Sequence, residues 1–77
     1  MLIDVRSEDE YENGHHKEAI NIPLDKMSNF TFDFPLDEEI VLYCFSGGRA
    51  EVARHFLKGK GFTNVSLLND TGAMCGF

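Results

Sequence analysis

Short apolar blocks separated by polar stretches set the pattern of the chain. Residues 2–5, Leu-Ile-Asp-Val, read as a short strand. A helix follows from Ser7. Ser7-Glu8-Asp9-Glu10 is a capping box: the serine side chain takes one orphan N–H of the first turn, and the glutamate three residues on reaches back to the serine N–H. Three consecutive acids also suit the partly positive end of a helix. Asn13-Gly14 stops it, since both residues tolerate a left-handed backbone. Residues 19–22 form a brief extended stretch ended by Pro23. Over 24–39, Phe30, Phe32 and Phe34 alternate with Thr31 and Asp33, which is strand spacing, and Pro35 and three acids at 37–39 bound them. This segment reads as extended chain laid over the core.

The second half is more regular. Residues 40–43, Ile-Val-Leu-Tyr, are a continuous apolar run, as expected of a central strand buried on both faces. Cys44-Phe45-Ser46-Gly47-Gly48-Arg49 follows, and its glycines call for a tight backbone. A helix is predicted over 49–58, with Val52, Ala53, Phe56 and Leu57 on one face. Lys58 and Lys60 suit its negative end, and Gly59 or Gly61 terminates it. Residues 65–68 make the next strand. Strand, loop, helix and strand in that order cross over into a parallel sheet. The fold class is α/β. A chain of 77 residues is one domain, 1–77, with a thin core.

Composition narrows the function. Seven Phe and two Tyr give the chain enough to bury, which argues against disorder. No apolar run approaches a membrane span, and no basic segment followed by a long apolar one marks a signal peptide. The expected location is cytoplasmic, or periplasmic if a signal peptide has been removed. A net charge of −6 argues against nucleic acid and acidic membranes as partners. The charge is uneven. Residues 1–39 hold eleven acids against three bases, and residues 40–77 four bases against two acids. The second half is the place for an anionic small molecule. Two cysteines, Cys44 and Cys75, are too few for a disulfide framework and lack zinc-site spacing. A free thiol in a reducing compartment, with no metal and no cofactor, is the expectation.

Cys44 stands at the carboxyl end of a predicted parallel strand and just before a helix, where open α/β sheets place their ligands. The partly positive helix start, converging backbone N–H groups and nearby Arg49 all favour a thiolate. The same N–H groups suit an anion. A lone cysteine at a strand end is usually a small buried apolar residue. Two glycines, an arginine and an ensuing helix shift the reading to a nucleophile aimed at an anionic substrate. Cys44 to Arg49 is Cys-x4-Arg, one residue shorter than the Cys-x5-Arg of cysteine phosphatases. The smaller ring of N–H groups suits a single sulfur atom on the cysteine better than a phosphoryl group.

Three ordered segments resemble a rhodanese (sulfurtransferase) domain. The first is Asp4-Val5-Arg6 with Glu10-Tyr11 and Gly14-His15. The second is Ala19-Ile20-Asn21-Ile22-Pro23. The third is Val41 to Arg49 with Gly61-Phe62-Thr63-Asn64-Val65. The resemblance spans residues 3 to 68. It implies a three-layer fold with a parallel sheet of four or five strands flanked by helices. It also implies sulfane sulfur transfer: the Cys44 thiolate takes sulfur from a small anionic donor such as thiosulfate or a polysulfide. The resulting persulfide is stabilised by the N–H groups of residues 45–49 and passed to cyanide, a thiol or a protein cysteine. The sequence departs from the family at His16 and Glu18, in the reduced segment Thr71–Phe77, and in lacking a strand and helix before the first segment. An N-terminally trimmed sheet exposes an edge, so a monomer or weak homodimer is expected.

The resemblance assigns Cys44 as catalytic, and Phe45, Ser46, Gly47, Gly48 and Arg49 as the loop that binds substrate and persulfide. Asp4, Arg6, Glu10 and His15 are structural support. Arg49 has two readings: it binds the donor's anionic end, or it pairs with a scaffold acid such as Asp4 or Glu51. Arg6 has Glu10 as its expected ion-pair partner. His15 reads as a hydrogen-bonded structural histidine, and His16 and His55 as surface residues. Phe45 shapes the pocket mouth, and Ser46 donates to the bound anion. Cys75 reads as an incidental thiol, with resolution of the Cys44 persulfide as its alternative. A non-turnover sulfur carrier and an inactive interaction domain are the competing functions, and a phosphatase is disfavoured by the short loop.

Overall fold

The computed structural model describes residues 1–45 and 48–68. Four parallel strands form one sheet: β1 (Leu2–Asp4), β2 (Ala19–Asn21), β3 (Ile40–Tyr43) and β4 (Val65–Leu67). Their order is β2-β1-β3-β4. Ile3 sits opposite Ile20 on one side and Leu42 on the other, and Leu42 opposite Leu67. The two central strands, β1 and β3, carry the most apolar residues, as parallel strands covered on both faces require. Among the described residues β2 and β4 are the edges.

Alternation along the strands divides the core. Ile3, Val5, Ile40, Leu42 and Cys44 point to one face, where Ala50, Ala53 and Leu57 of helix α2 (Gly48–Gly59) and Phe62 cover them. Tyr43 and Ala19 point to the other, where Tyr11 of helix α1 (Glu8–Glu12), Leu2 and Leu68 pack. Ser7 caps α1 with the full capping box: its Oγ accepts from the Glu10 N–H at 3.2 Å, and its own N–H donates to Glu10 Oε1 at 3.1 Å.

Segment 24–39 corrects the sequence reading. Leu24–Asn29 is a 3₁₀ helix that buries Met27 against the core, not extended chain. Phe32 and Phe34 then pack on the core and on Phe62, while Phe30 stays exposed. The chain is pinned at its end by the Thr63 N–H donating to the Leu36 carbonyl at 2.9 Å. Gly61, at φ +103°, turns the chain out of α2 beneath Leu36, so glycine is needed there. On α2 the buried face is Ala50, Ala53 and Leu57; Val52 points to solvent, against expectation.

Candidate active site

Strand β3 delivers Cys44 to the carboxyl end of the sheet, beside the start of α2. The side chain is 1% exposed. Its Sγ accepts a hydrogen bond from the Ala50 N–H at 3.3 Å. Ala50 is the third residue of α2, so this N–H belongs to the first turn and has no acceptor within the helix. The sequence reading placed the sulfur's donors at residues 45–49; the donor described lies one residue beyond. A helix taken to start at 48 would have shown it. Phe45 is 63% exposed, at the rim of the site. A Cβ added at Gly48 would meet nothing within 4 Å, so the tight backbone expected there is not required. Ser46, Gly47 and Cys75 lie outside the described residues.

Two arginine–carboxylate pairs buttress this end of the sheet, and both differ from expectation in partner. Arg6 pairs with Asp4, not Glu10. Its Nε donates to both carboxylate oxygens at 3.0 Å, its Nη2 to Oδ2 at 2.7 Å, and its backbone N–H to Oδ1 at 2.9 Å. Nη2 also donates to the Gly14 carbonyl at 2.6 Å. Both side chains are buried, and the Arg6 guanidinium lies 5.8 Å from the Tyr43 ring centre. The hydrogen bond to Asp4 raises the Arg6 pKa further, so the guanidinium stays charged.

Glu10 pairs instead with Arg49. Arg49 Nη1 donates to Oε1 at 2.7 Å and Nη2 to Oε2 at 3.1 Å. This is a fork-to-fork pair at about two-fifths exposure. The Arg49 hydrogen bond, with those from Ser7, lowers the Glu10 pKa to about 2. Neither Asp4 nor Glu51 holds Arg49: Asp4 binds Arg6, and Glu51 binds Arg54 and His55. The pairing joins α1 to the first turn of α2, next to Cys44. A groove of about 350 Å³ opens there, lined by Val5, Ser7, Leu24, Asp25 and Arg49.

The histidines separate. His15 stacks on Tyr11 with ring centres 3.6 Å apart, and its Nδ1 lies 2.6 Å from the Tyr11 carbonyl. His16 is half-buried rather than on the surface. Its N–H donates to Tyr43 Oη at 3.0 Å and its ring meets Tyr43 edge-on. Burial pushes the Tyr43 phenol up to about 12. His55 is exposed, as expected.

Comparison with known proteins adds to this geometry. A tRNA uridine(34) hydroxylase of Sodalis glossinidius is 36% identical over 74 residues, covering 84% of this chain and 20% of that protein. Thiosulfate sulfurtransferase GlpE of Pseudomonas syringae pv. syringae is 28% identical over 65 residues, covering 84% of this chain and 61% of that protein. The chain thus spans a fifth to about three-fifths of the length of these curated relatives. The structure of a human single-domain sulfurtransferase superposes with a TM-score of 0.81 at 25% identity, covering 91% of this chain and 74% of that one. The model of the rhodanese-like domain matches residues 1–71. By that match, and by a parallel sheet that carries Cys44 to the start of a helix, the chain belongs to the rhodanese-like domain family.

Proposed function

We propose that the chain is a sulfurtransferase in which Cys44 takes sulfane sulfur from thiosulfate or a polysulfide and passes it, as a persulfide, to a thiophilic acceptor. One observation carries the reading: the Ala50 N–H at the start of α2 donates to the Cys44 sulfur at 3.3 Å. An N–H donor at a helix start is the arrangement a negatively charged sulfur needs. Thiolate attack on the outer sulfur of thiosulfate forms the Cys44 S–S bond and breaks the S–S bond of the donor, releasing sulfite. The attack needs no general base, so His15 stays structural. The likeness to GlpE, a thiosulfate sulfurtransferase, and to the human single-domain enzyme supports the class of reaction.

The test is turnover with thiosulfate and cyanide, followed by thiocyanate formation. Wild-type protein turns over many times, and Cys44→Ser does not. Equal rates in the two proteins would end the proposal. A single stoichiometric burst with no turnover would make the chain a sulfur carrier.

A further inference from the structure

Resting on the sulfurtransferase reading, we infer that Glu10 is a specificity-determining residue: by neutralising Arg49 it turns the Cys44 site from dianionic donors such as thiosulfate toward donors of lower negative charge, such as the persulfide of a zwitterionic thiol. Among the described residues that line the groove, Arg49 is the one cation. Each of its terminal nitrogens donates one hydrogen bond to an oxygen of Glu10. Asp25, an acid, lines the same groove. Arg49, Glu10 and Asp25 together therefore leave one net negative charge where a dianion would approach.

The pair is also preorganised. Glu10 is held from its other side by the Ser7 N–H and Oγ, both at 3.1 Å from Oε1. Arg49 thus meets a carboxylate already fixed in place by the cap of α1, and an incoming anion shares the guanidinium with that negative charge. The Glu10 pKa of about 2 keeps that carboxylate ionised throughout the neutral range.

The favoured transfer balances without a co-reactant. The Cys44 thiolate attacks the outer sulfur of R–S–SH. A new S–S bond forms, the donor S–S bond breaks, and the pair of electrons leaves with R–S⁻. The proton stays on the transferred sulfur.

Wild type, Glu10→Gln and Asp25→Asn are compared with thiosulfate and with cysteine persulfide as donors. Glutamine still offers an oxygen to Ser7, so the cap survives, and Asp25→Asn tests the same charge argument without touching the cap. The readout is the ratio of kcat/KM for thiosulfate to that for cysteine persulfide. Glu10→Gln should raise this ratio about tenfold, the size expected for removing one unit charge about 6 Å from a dianion in water. The change should lie in the thiosulfate KM rather than in kcat, and shrink at high salt. Asp25→Asn should move the ratio in the same direction. An unchanged ratio in both variants, with Cys44-dependent turnover intact, overturns the role of Glu10 alone. No sulfur uptake by wild type from either donor overturns the sulfurtransferase reading and this inference with it.

Discussion

At the scale of single residues, the buried Asp4–Arg6 pair takes two charges out of water. Neither side chain reaches solvent appreciably, so each needs the other. Asp4→Asn leaves the Arg6 charge without its carboxylate. The expected loss is about 3 kcal/mol or more, read from urea unfolding; a loss below about 1 kcal/mol would show that Arg6 finds water instead. That Arg6 makes an ion pair is legible in the sequence, but its partner is not. The sequence offers Arg6 both Asp4 and Glu10 within four residues, and the extended backbone decides, because it puts Asp4 and Arg6 on one face, two residues apart. Glu10 meets Arg49 across 39 residues, a contact that only the packing of α1 on the sheet creates.

At the scale of elements, structure set by near neighbours is legible in the sequence, and structure set by tertiary packing is not. The capping box of α1 depends on residues three apart, and it forms as the sequence indicates. Ser7→Ala should cost about 1 kcal/mol in thermal or urea unfolding. The 3₁₀ helix Leu24–Asn29 was missed because its single buried residue, Met27, leaves no periodic pattern to detect. Met27→Ala should cost about 2–5 kcal/mol, the range for emptying a packed methionine site; a cost under 1 kcal/mol would mean the segment is held by its ends alone. Val52 was assigned inward because it lies one turn from Phe56. The sheet contacts the face of Ala50, Ala53 and Leu57, rotated away from it.

At the scale of the whole molecule, the shifted pKa values of Glu10 and Tyr43 make stability sensitive to pH at both extremes. Glu10 titrates near 2 in the folded protein against about 4.5 ordinarily, mainly through Arg49. Its contribution is complete above pH 4.5 and is lost as pH falls toward 2, an effect that solvent exposure of the pair keeps modest. Glu10→Gln should therefore flatten the acid limb of the stability curve between pH 4.5 and 2. Tyr43 shifts the other way. Burial raises its phenol from 10 to about 12, so its contribution is present below pH 10 and is lost as pH rises through 12. The parallel sheet and the position of Cys44 were legible from apolar runs and glycines, because both follow from chain order. The charge environment of Cys44 was not, because it is assembled from α1 and α2. Its consequence for chemistry rests on one claim, that the Cys44 sulfur accepts and holds a second sulfur atom. Intact-protein mass spectrometry of reduced, desalted protein after incubation with thiosulfate or cysteine persulfide tests this most directly. The account predicts a gain of one sulfur atom in wild type with at least one donor and none in Cys44→Ser. The same gain in Cys44→Ser, or no gain in wild type with either donor, would contradict it.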